Sequence, residues 1–310
     1  MSATSAQVRL ATPPPECPAV RSYQVTSADG TVLEAWTNDV DGTMAGPTVL
    51  LCNGLGTNPY CWPALLDPSC GVRVISWMHR GTGGSARPAE PGRAGIDAFV
   101  EDALAVLDHD GIDACPVMGW SMGVNTAFEL AFLHPERVTG LFAVGGVPGG
   151  TFSSMLAPMF VPRPLRAVIT VNAVRLMKAA GTPLSLLARN VPTGPVAVEV
   201  LTHSGFMLPT PDNAMTGRAV REFLRTPVDW YMHLALASSR HVRVSLRAID
   251  VPTTFVAGRW DVLASARDMR TAADRIEGAT YVELPASHFL PMECPEQIGE
   301  LLLELLGRVA

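Results

Sequence analysis

The sequence is poor in charged and aromatic residues, and it contains no long hydrophobic run. Charged residues make up 17% of the 310 residues and aromatic residues 6%, whereas 48% of the residues are hydrophobic. This balance is typical of a folded protein and excludes an intrinsically disordered chain. No apolar stretch approaches the roughly 20 residues that a membrane-spanning helix needs, so we expect no transmembrane segment.

Positive charge is also scarce. The 23 Lys and Arg residues are outnumbered by 29 Asp and Glu residues, which leaves a formal net charge of −6. A nucleic-acid-binding protein would need a basic surface to neutralise phosphates. The composition therefore argues against a nucleic-acid partner, and it leaves a small neutral or apolar substrate open.

Paired cysteines are missing as well. The chain has no C-x-x-C pair and no regular cysteine spacing among its six cysteines, which are Cys17, Cys52, Cys61, Cys70, Cys115 and Cys294. Such scattered cysteines indicate reduced thiols rather than a disulfide framework or a zinc site. The first twenty residues lack the basic start and the apolar run of a secretory signal peptide. We therefore expect a cytoplasmic protein, with loose contact to a membrane surface left open.

Short apolar segments alternate with helical patterns along most of the chain. Residues 21–37 first indicate a hairpin that turns at Asp29 and Gly30. Buried strands are predicted at residues 48–53, 72–77, 115–120, 138–144, 253–258 and 280–284. Helices are predicted at residues 96–111, 121–134, 264–276 and 295–309. This alternation predicts an α/β fold with a mostly parallel central sheet flanked by helices.

The alternation lapses between residues 148 and 247. This stretch is rich in Pro, Met and Leu, and it predicts several short helices. We therefore predict one α/β domain in two parts, residues 1–147 and 248–310, with residues 148–247 inserted between them.

The segment GWSMG places Ser121 between Gly119 and Gly123, where a buried strand turns directly into a helix. The five-residue pattern is weak evidence by itself, and the alternative for Ser121 is a helix cap at a glycine-rich turn. The strand-to-helix context favours a nucleophile, because a tight turn lifts the hydroxyl above the edge of the sheet. The N–H of Met122 would then point into the same space.

A serine hydroxyl needs a base, and the base needs a third group that orients it. His288 follows the last predicted strand, and Asp261 follows the predicted strand at residues 253–258. The alternative for Asp261 is an exposed loop aspartate or a helix N-cap. The order Ser, Asp, His, each just after a parallel strand, predicts a triad of Ser121, Asp261 and His288 at one edge of the sheet.

The negative charge that forms on a carbonyl oxygen in such a reaction needs two N–H donors. The N–H of Met122 is the first candidate. The loop after the strand at residues 48–53 offers the N–H of Leu55 as the second, since Gly54 and Gly56 allow the backbone to approach a substrate closely. The alternative for this loop is an ordinary glycine turn. None of these motifs requires a cofactor or a metal ion.

Together these segments resemble the α/β-hydrolase superfamily. The matching segments are NGLG (53–56), HRGTGGSARP (79–88), GWSMG (119–123), GRWD (258–261) and SHFLPMECPE (287–296). The resemblance implies the α/β-hydrolase fold with a serine triad, and it makes residues 148–247 a helical cap that sets substrate choice. Two departures are Asn53, where the family usually has histidine, and Val124, where a second glycine often follows the turn.

The predicted cap is dominated by apolar residues and favours an apolar pocket with an adaptable methionine lining, drawn from Met155, Met159, Met177, Met207, Met215 and Met232.

The main hypothesis is a serine hydrolase that cleaves small hydrophobic carboxylic esters through an acyl-enzyme. A carbon–carbon bond hydrolase, a lyase or a cofactor-free perhydrolase is an alternative on the same fold. A ligand receptor with this fold is an alternative of another class. An aspartate-nucleophile enzyme, such as a dehalogenase or an epoxide hydrolase, is disfavoured because serine occupies the turn. The oligomeric state stays open.

Overall fold

The computed structural model describes residues 18–156, 159, 161–242 and 244–309, so that Cys17 lies outside the described residues. Within these residues the strands are β1 Arg21–Thr26, β2 Val32–Thr37, β3 Thr48–Cys52, β4 Arg73–Trp77, β5 Cys115–Trp120, β6 Val138–Val144, β7 Thr253–Gly258 and β8 Thr280–Leu284. All strands that the sequence predicted are present, with ends that differ by at most one residue.

The strands form one sheet in the order β1-β2-β4-β3-β5-β6-β7-β8. Strand β2 is antiparallel to both of its neighbours, and all other neighbouring pairs are parallel. This confirms the predicted, mostly parallel sheet. The chain runs outward from β3 to β4 and then returns to β5 on the other side of β3. Ligands of such sheets bind beyond the carboxyl ends of the strands at this reversal.

The central strand β5 is buried over its whole length. A strand that is covered on both faces has no solvent side, which explains why its sequence, CPVMGW, does not alternate between apolar and polar residues. Pro116 cannot donate a ladder hydrogen bond, and the pairing with β6 shifts its register between Cys115 and Pro116. The irregularity lets a proline occupy an interior strand, so that β5 still delivers Ser121 to the edge of the sheet.

The described helices are α1 Pro63–Leu66, α2 Ile96–His109, α3 Met122–Leu133, α4 Thr151–Ser154, α5 Arg163–Ala179, α6 Gly181–Arg189, α7 Pro195–Thr202, α8 Asn213–Leu224, α9 Val228–Ser238, α10 Ala266–Ala273, α11 Leu290–Glu293 and α12 Pro295–Val309. Helices α2, α3 and α10 pack on one face of the sheet, whereas α1 and α12 pack on the other. Helices α4 to α9 lie between β6 and β7, and the described part of residues 148–247 contains no strand. We call residues 148–247 the helical segment.

Helix α10 is shorter than predicted. The sequence predicted residues 264–276, but the helix begins only at Ala266, because the Ser265 side chain caps it by accepting the Asp268 N–H. At the other end, the N–H groups of Arg275 and Ile276 donate to carbonyls three residues back. This tighter pattern commonly closes the last turn of an α-helix.

The loop after β4 is held by a buried cluster of charges. Arg80 is fully buried, and its guanidinium donates two hydrogen bonds to Asp102 on α2, at 2.9 and 2.7 Å, and another to Asp29. The Arg80 carbonyl accepts a hydrogen bond of 2.7 Å from the Trp230 indole on α9. Arg87 lies over the same indole ring, 4.4 Å from its centroid. The segment HRGTGGSARP therefore joins the core to the helical segment.

We expect Arg80→Met to lower the free energy of unfolding by about 3–5 kcal/mol, because Asp102 would keep a buried carboxylate without its counter-charge. The matched control is Arg259→Met, which removes a guanidinium that is 59% exposed and paired with Glu283. An exposed ion pair of this kind contributes less than about 1 kcal/mol. Denaturant midpoints of the two variants measure the difference, and equal midpoints would contradict a stabilising role for the cluster.

Candidate active site

Ser121 occupies the turn between β5 and α3 in a conformation that side chains rarely adopt. Its backbone angles are φ 55° and ψ −118°, a region that strongly favours glycine. The Ser121 N–H donates to the Val144 carbonyl of β6 at 3.0 Å and helps to hold the turn. The strain is therefore imposed by the surrounding sheet, and such strain in a residue other than glycine is common at functional sites.

The glycines around Ser121 are required because the backbone passes very close. A Cβ atom at Gly123 would lie 1.8 Å from the Cys52 carbonyl oxygen, and one at Gly119 would lie 2.7 Å from the Val124 Cα. Val124 is one of the two departures from the family pattern. Its side chain fits because the neighbouring residue is Gly146: a Cβ atom at Gly146 would lie 2.5 Å from a Val124 methyl group. Helix α3 thus packs tightly on the sheet without a second glycine after the turn.

The structure brings the three predicted triad residues into one hydrogen-bonded chain. The Nε2 atom of His288 lies 2.8 Å from the Ser121 Oγ, and the Nδ1 atom lies 2.8 Å from the Asp261 Oδ2. His288 is 6% exposed and Asp261 is 1% exposed. The buried carboxylate can orient the imidazole, and the imidazole can accept the proton of the serine hydroxyl.

The Asp261 carboxylate is fixed by backbone groups that the sequence analysis missed. Its Oδ1 accepts N–H groups from Leu263 and Ala264, both at 2.7 Å, which leaves Oδ2 for His288. An aspartate side chain that accepts the backbone N–H two residues further on is a common turn motif. The contact with Leu263 could therefore have been predicted from the local sequence. Trp120 also donates its indole N–H to the His288 carbonyl at 3.1 Å. No sequence pattern indicates that contact.

Leu55 and Met122, the two candidate oxyanion donors, line the same cavity as Ser121. Within the described part of the chain, neither of their N–H groups donates a hydrogen bond. Asn53, the other departure from the family pattern, accepts the Gly54 N–H and the Trp62 indole N–H, each at 3.0 Å, through its side-chain oxygen. The asparagine thus anchors the loop that carries Leu55.

The triad opens into a cavity of about 710 Å³. Its walls come from the loops at the sheet edge and from α5, α8 and α9, and most of the lining side chains are apolar. Among the described residues, no Asp, Glu, Lys or Arg lines the cavity. Four of the six predicted methionines line it, namely Met155, Met177, Met207 and Met232. Met215 is buried in the core instead, and Met159 is 63% exposed.

Two other groups near the core, the Cys61 thiol and the His79 imidazole, are held in their neutral forms by burial. Cys61 lines the cavity, but burial raises the pKa of its thiol to about 12, so that little thiolate forms. Burial lowers the pKa of His79 to about 4, and no described hydrogen bond joins His79 to Ser121 or Asp261. Among the residues that the structure describes, no group of three or more His, Cys, Asp or Glu side chains could hold a metal ion.

Comparison with known proteins gives the same fold. A family model described as alpha/beta hydrolase fold matches residues 47–148, which include the loop of Leu55 and the turn of Ser121. RutD of Caulobacter segnis, a protein named for carbamate hydrolysis, is 35% identical over 99 residues, which make up 32% of this chain and only 37% of that protein. Epoxide hydrolase A of Mycobacterium tuberculosis is 26% identical over 306 residues, with 86% of this chain and 92% of that protein covered.

A solved structure agrees with these matches. The esterase EaEST from Exiguobacterium antarcticum superposes with a TM-score of 0.70 at 17% identity, covering 93% of this chain and all of that one. None of the described helices is long and apolar enough to cross a membrane. The sheet order, the turn at Ser121 and the matched family model lead to one assignment, namely that the chain has the α/β-hydrolase fold.

Proposed function

We propose that this protein is a serine hydrolase that cleaves uncharged carboxylic esters with an apolar acyl or alcohol part. The observation that carries the proposal is the hydrogen-bonded chain from Ser121 through His288 to Asp261, which lies in an apolar cavity. We further propose that the helical segment acts as the cap of this cavity, since α5, α8 and α9 supply much of its wall.

The geometry supports a two-step reaction. Ser121 Oγ attacks the ester carbonyl carbon while His288 Nε2 takes the hydroxyl proton, and the N–H groups of Leu55 and Met122 stabilise the oxyanion. His288 then protonates the departing alcohol, which leaves an acyl group on Ser121. A water molecule, deprotonated by His288, attacks that acyl group and releases the acid. Asp261 stabilises the imidazolium in both steps.

The cavity supports an uncharged substrate. A carboxylate placed among its lining residues would lose its hydration without meeting a cationic side chain, and such burial is costly. An acyl chain or an apolar alcohol would instead gain free energy from burial, in proportion to the apolar area removed from water. Hydroxyl groups in the wall, such as those of Thr170 and Tyr231, offer hydrogen bonds to a neutral polar group.

A serine at position 121 argues against epoxide hydrolysis, the activity for which the relative from Mycobacterium tuberculosis is named. A serine that opened an epoxide would form an ether, which has no carbonyl group for water to attack, and the enzyme would stay alkylated. A serine that attacks an ester forms an acyl-enzyme, which water can hydrolyse. Carboxylic ester cleavage is therefore the reaction that this residue supports best.

The decisive experiment compares two aryl esters of equal length. We expect p-nitrophenyl hexanoate to turn over many times, with a kcat/KM at least about 100-fold above that of the mono-p-nitrophenyl ester of adipic acid, because only the latter carries a carboxylate into the apolar cavity. A fluorophosphonate should label Ser121 with one equivalent and stop the turnover. Initial rates measure the ratio of the two kcat/KM values, and the mass of the labelled peptide shows the modification of Ser121.

The receptor and the carbon–carbon bond hydrolase alternatives predict different outcomes, the second of them with vinylogous diketones as additional substrates. Labelling of Ser121 without repeated turnover of any ester would favour a ligand receptor. Turnover of vinylogous diketones in preference to aryl esters would favour a carbon–carbon bond hydrolase. Equal kcat/KM for the two aryl esters would contradict the proposed selection against charge.

A further inference from the structure

The helical segment differs in charge from the rest of the chain. Residues 148–247 contain eleven Lys and Arg residues and four Asp and Glu residues, which gives a net charge of +7. The remaining residues contain twelve Lys and Arg and twenty-five Asp and Glu residues, which gives a net charge of −13. An acidic protein thus concentrates positive charge in the segment whose helices line the active-site cavity.

Exposed apolar side chains are concentrated in the same segment. Among the described residues, eighteen large hydrophobic side chains are exposed, and thirteen of them belong to the helical segment. On α5, Leu165, Val168 and Leu176 are 51%, 57% and 71% exposed, and on α6 Leu186 and Leu187 are 60% and 67% exposed. Apolar surface of this extent, bordered by polar residues, usually marks an interaction site.

Helix α5 carries this apolar surface to the mouth of the cavity. Leu165, Val168, Ile169 and Leu176 share one face, because residues three, four or eleven positions apart lie close together around a helix. Ile169 and Met177 line the cavity and are nevertheless 47% and 36% exposed. The cavity therefore opens next to the exposed apolar face of α5.

Unpaired cations accompany the apolar side chains. Arg175 precedes Leu176 on α5, and Arg189 is the last residue of α6. Both arginines are exposed, and neither guanidinium group forms an ion pair or a hydrogen bond with another described residue. Exposed helices that combine aliphatic and basic side chains are typical of segments that lie in the interface of an anionic membrane.

We propose that α5 and α6 dock this protein on an anionic lipid surface, with the mouth of the active-site cavity against the lipid. The aliphatic side chains enter the interface, Arg175 and Arg189 contact anionic headgroups, and the acidic core remains in water. A symmetric pairing of two copies through these helices is disfavoured, because it would bring together two segments of charge +7. Docking uses residues outside the triad and does not depend on the proposed ester hydrolysis.

Vesicle co-sedimentation tests the docking. We expect the full chain to sediment with vesicles of 70% phosphatidylcholine and 30% phosphatidylglycerol, to bind pure phosphatidylcholine at least tenfold more weakly, and to dissociate as salt is raised. The double variant Val168→Asp/Leu176→Asp should lower the partition coefficient at least tenfold. Both positions are exposed and neither lines the cavity.

Matched variants and the oligomeric state complete the test. Leu303→Asp changes a leucine that is 51% exposed on α12, and it should leave vesicle binding unchanged. Ser121→Ala should bind vesicles like the unmodified chain, which separates docking from catalysis. Equal binding to neutral and anionic vesicles, or no binding, would overturn the proposal. A dimer that dissociates in the Val168→Asp/Leu176→Asp variant would also overturn it and would assign the surface to a second copy.

Discussion

Replacing Ser121 with alanine is expected to lower kcat on p-nitrophenyl hexanoate by about a millionfold. The hydroxyl oxygen lies 2.8 Å from His288 Nε2, and without it no acyl-enzyme can form. The residual rate would come from substrate binding and from the oxyanion donors alone. Initial rates at saturating ester measure the loss. Ser69→Ala, which removes an exposed hydroxyl in the loop after α1, is the matched control and should keep full activity.

The stability of Ser121 variants gives an independent check on the strained turn. Alanine keeps the Cβ atom in the φ 55°, ψ −118° conformation, whereas glycine adopts this region without strain. We therefore expect Ser121→Gly to be more stable than Ser121→Ala by about 1 kcal/mol in unfolding free energy. An alanine variant that unfolds, or one that retains full activity, would contradict the assignment of Ser121 as a nucleophile in a turn held by its surroundings.

Replacing Asp261 with asparagine is expected to lower kcat by about 10⁴-fold. Leu263 and Ala264 donate two N–H groups to Oδ1, so an asparagine would place its amide oxygen there and turn its NH₂ group towards His288. The imidazole Nδ1 would have to accept that hydrogen bond, and its proton would move to Nε2. His288 would then offer an N–H to Ser121 instead of a base.

A matched substitution separates this effect from a general loss of charge. Asp274→Asn removes an exposed carboxylate at the end of α10 and should change kcat less than twofold. Denaturant midpoints check that Asp261→Asn remains folded. If kcat of the Asp261→Asn variant fell by less than tenfold, the histidine would not depend on Asp261 for its orientation.

Much of the fold could be predicted because its strands are locally encoded. Strand β3 contains a continuous apolar run at residues 49–52, and all six residues of β5 are buried. The ends of α10 could not be predicted, because they depend on a serine cap and on how the last turn closes. Periodicity shows that a helix exists more reliably than where it begins and ends.

The candidate site shows the same division. The residues with suitable chemistry, Ser121, Asp261 and His288, could be named from their order and from the strands that precede them. The contacts that hold these residues in place could not be predicted, because they join residues that are far apart in the sequence. The Trp120 indole donates to the carbonyl of His288, and Gly146 packs against Ser121 and Val124. The exposed face of α5 was likewise not predicted, since its apolar residues could equally have been buried in a cap core.

The sequence by itself determined the order of strands and helices, the nucleophile motif and the candidate base and acid, because these depend on interactions within a few residues. Only the tertiary structure decided that Ser121 Oγ, His288 and Asp261 meet at hydrogen-bond distance, that a large uncharged cavity adjoins them, and that apolar residues of the helical segment face outward. These outcomes depend on how distant parts of the chain pack, and packing is set by the whole core rather than by any local pattern.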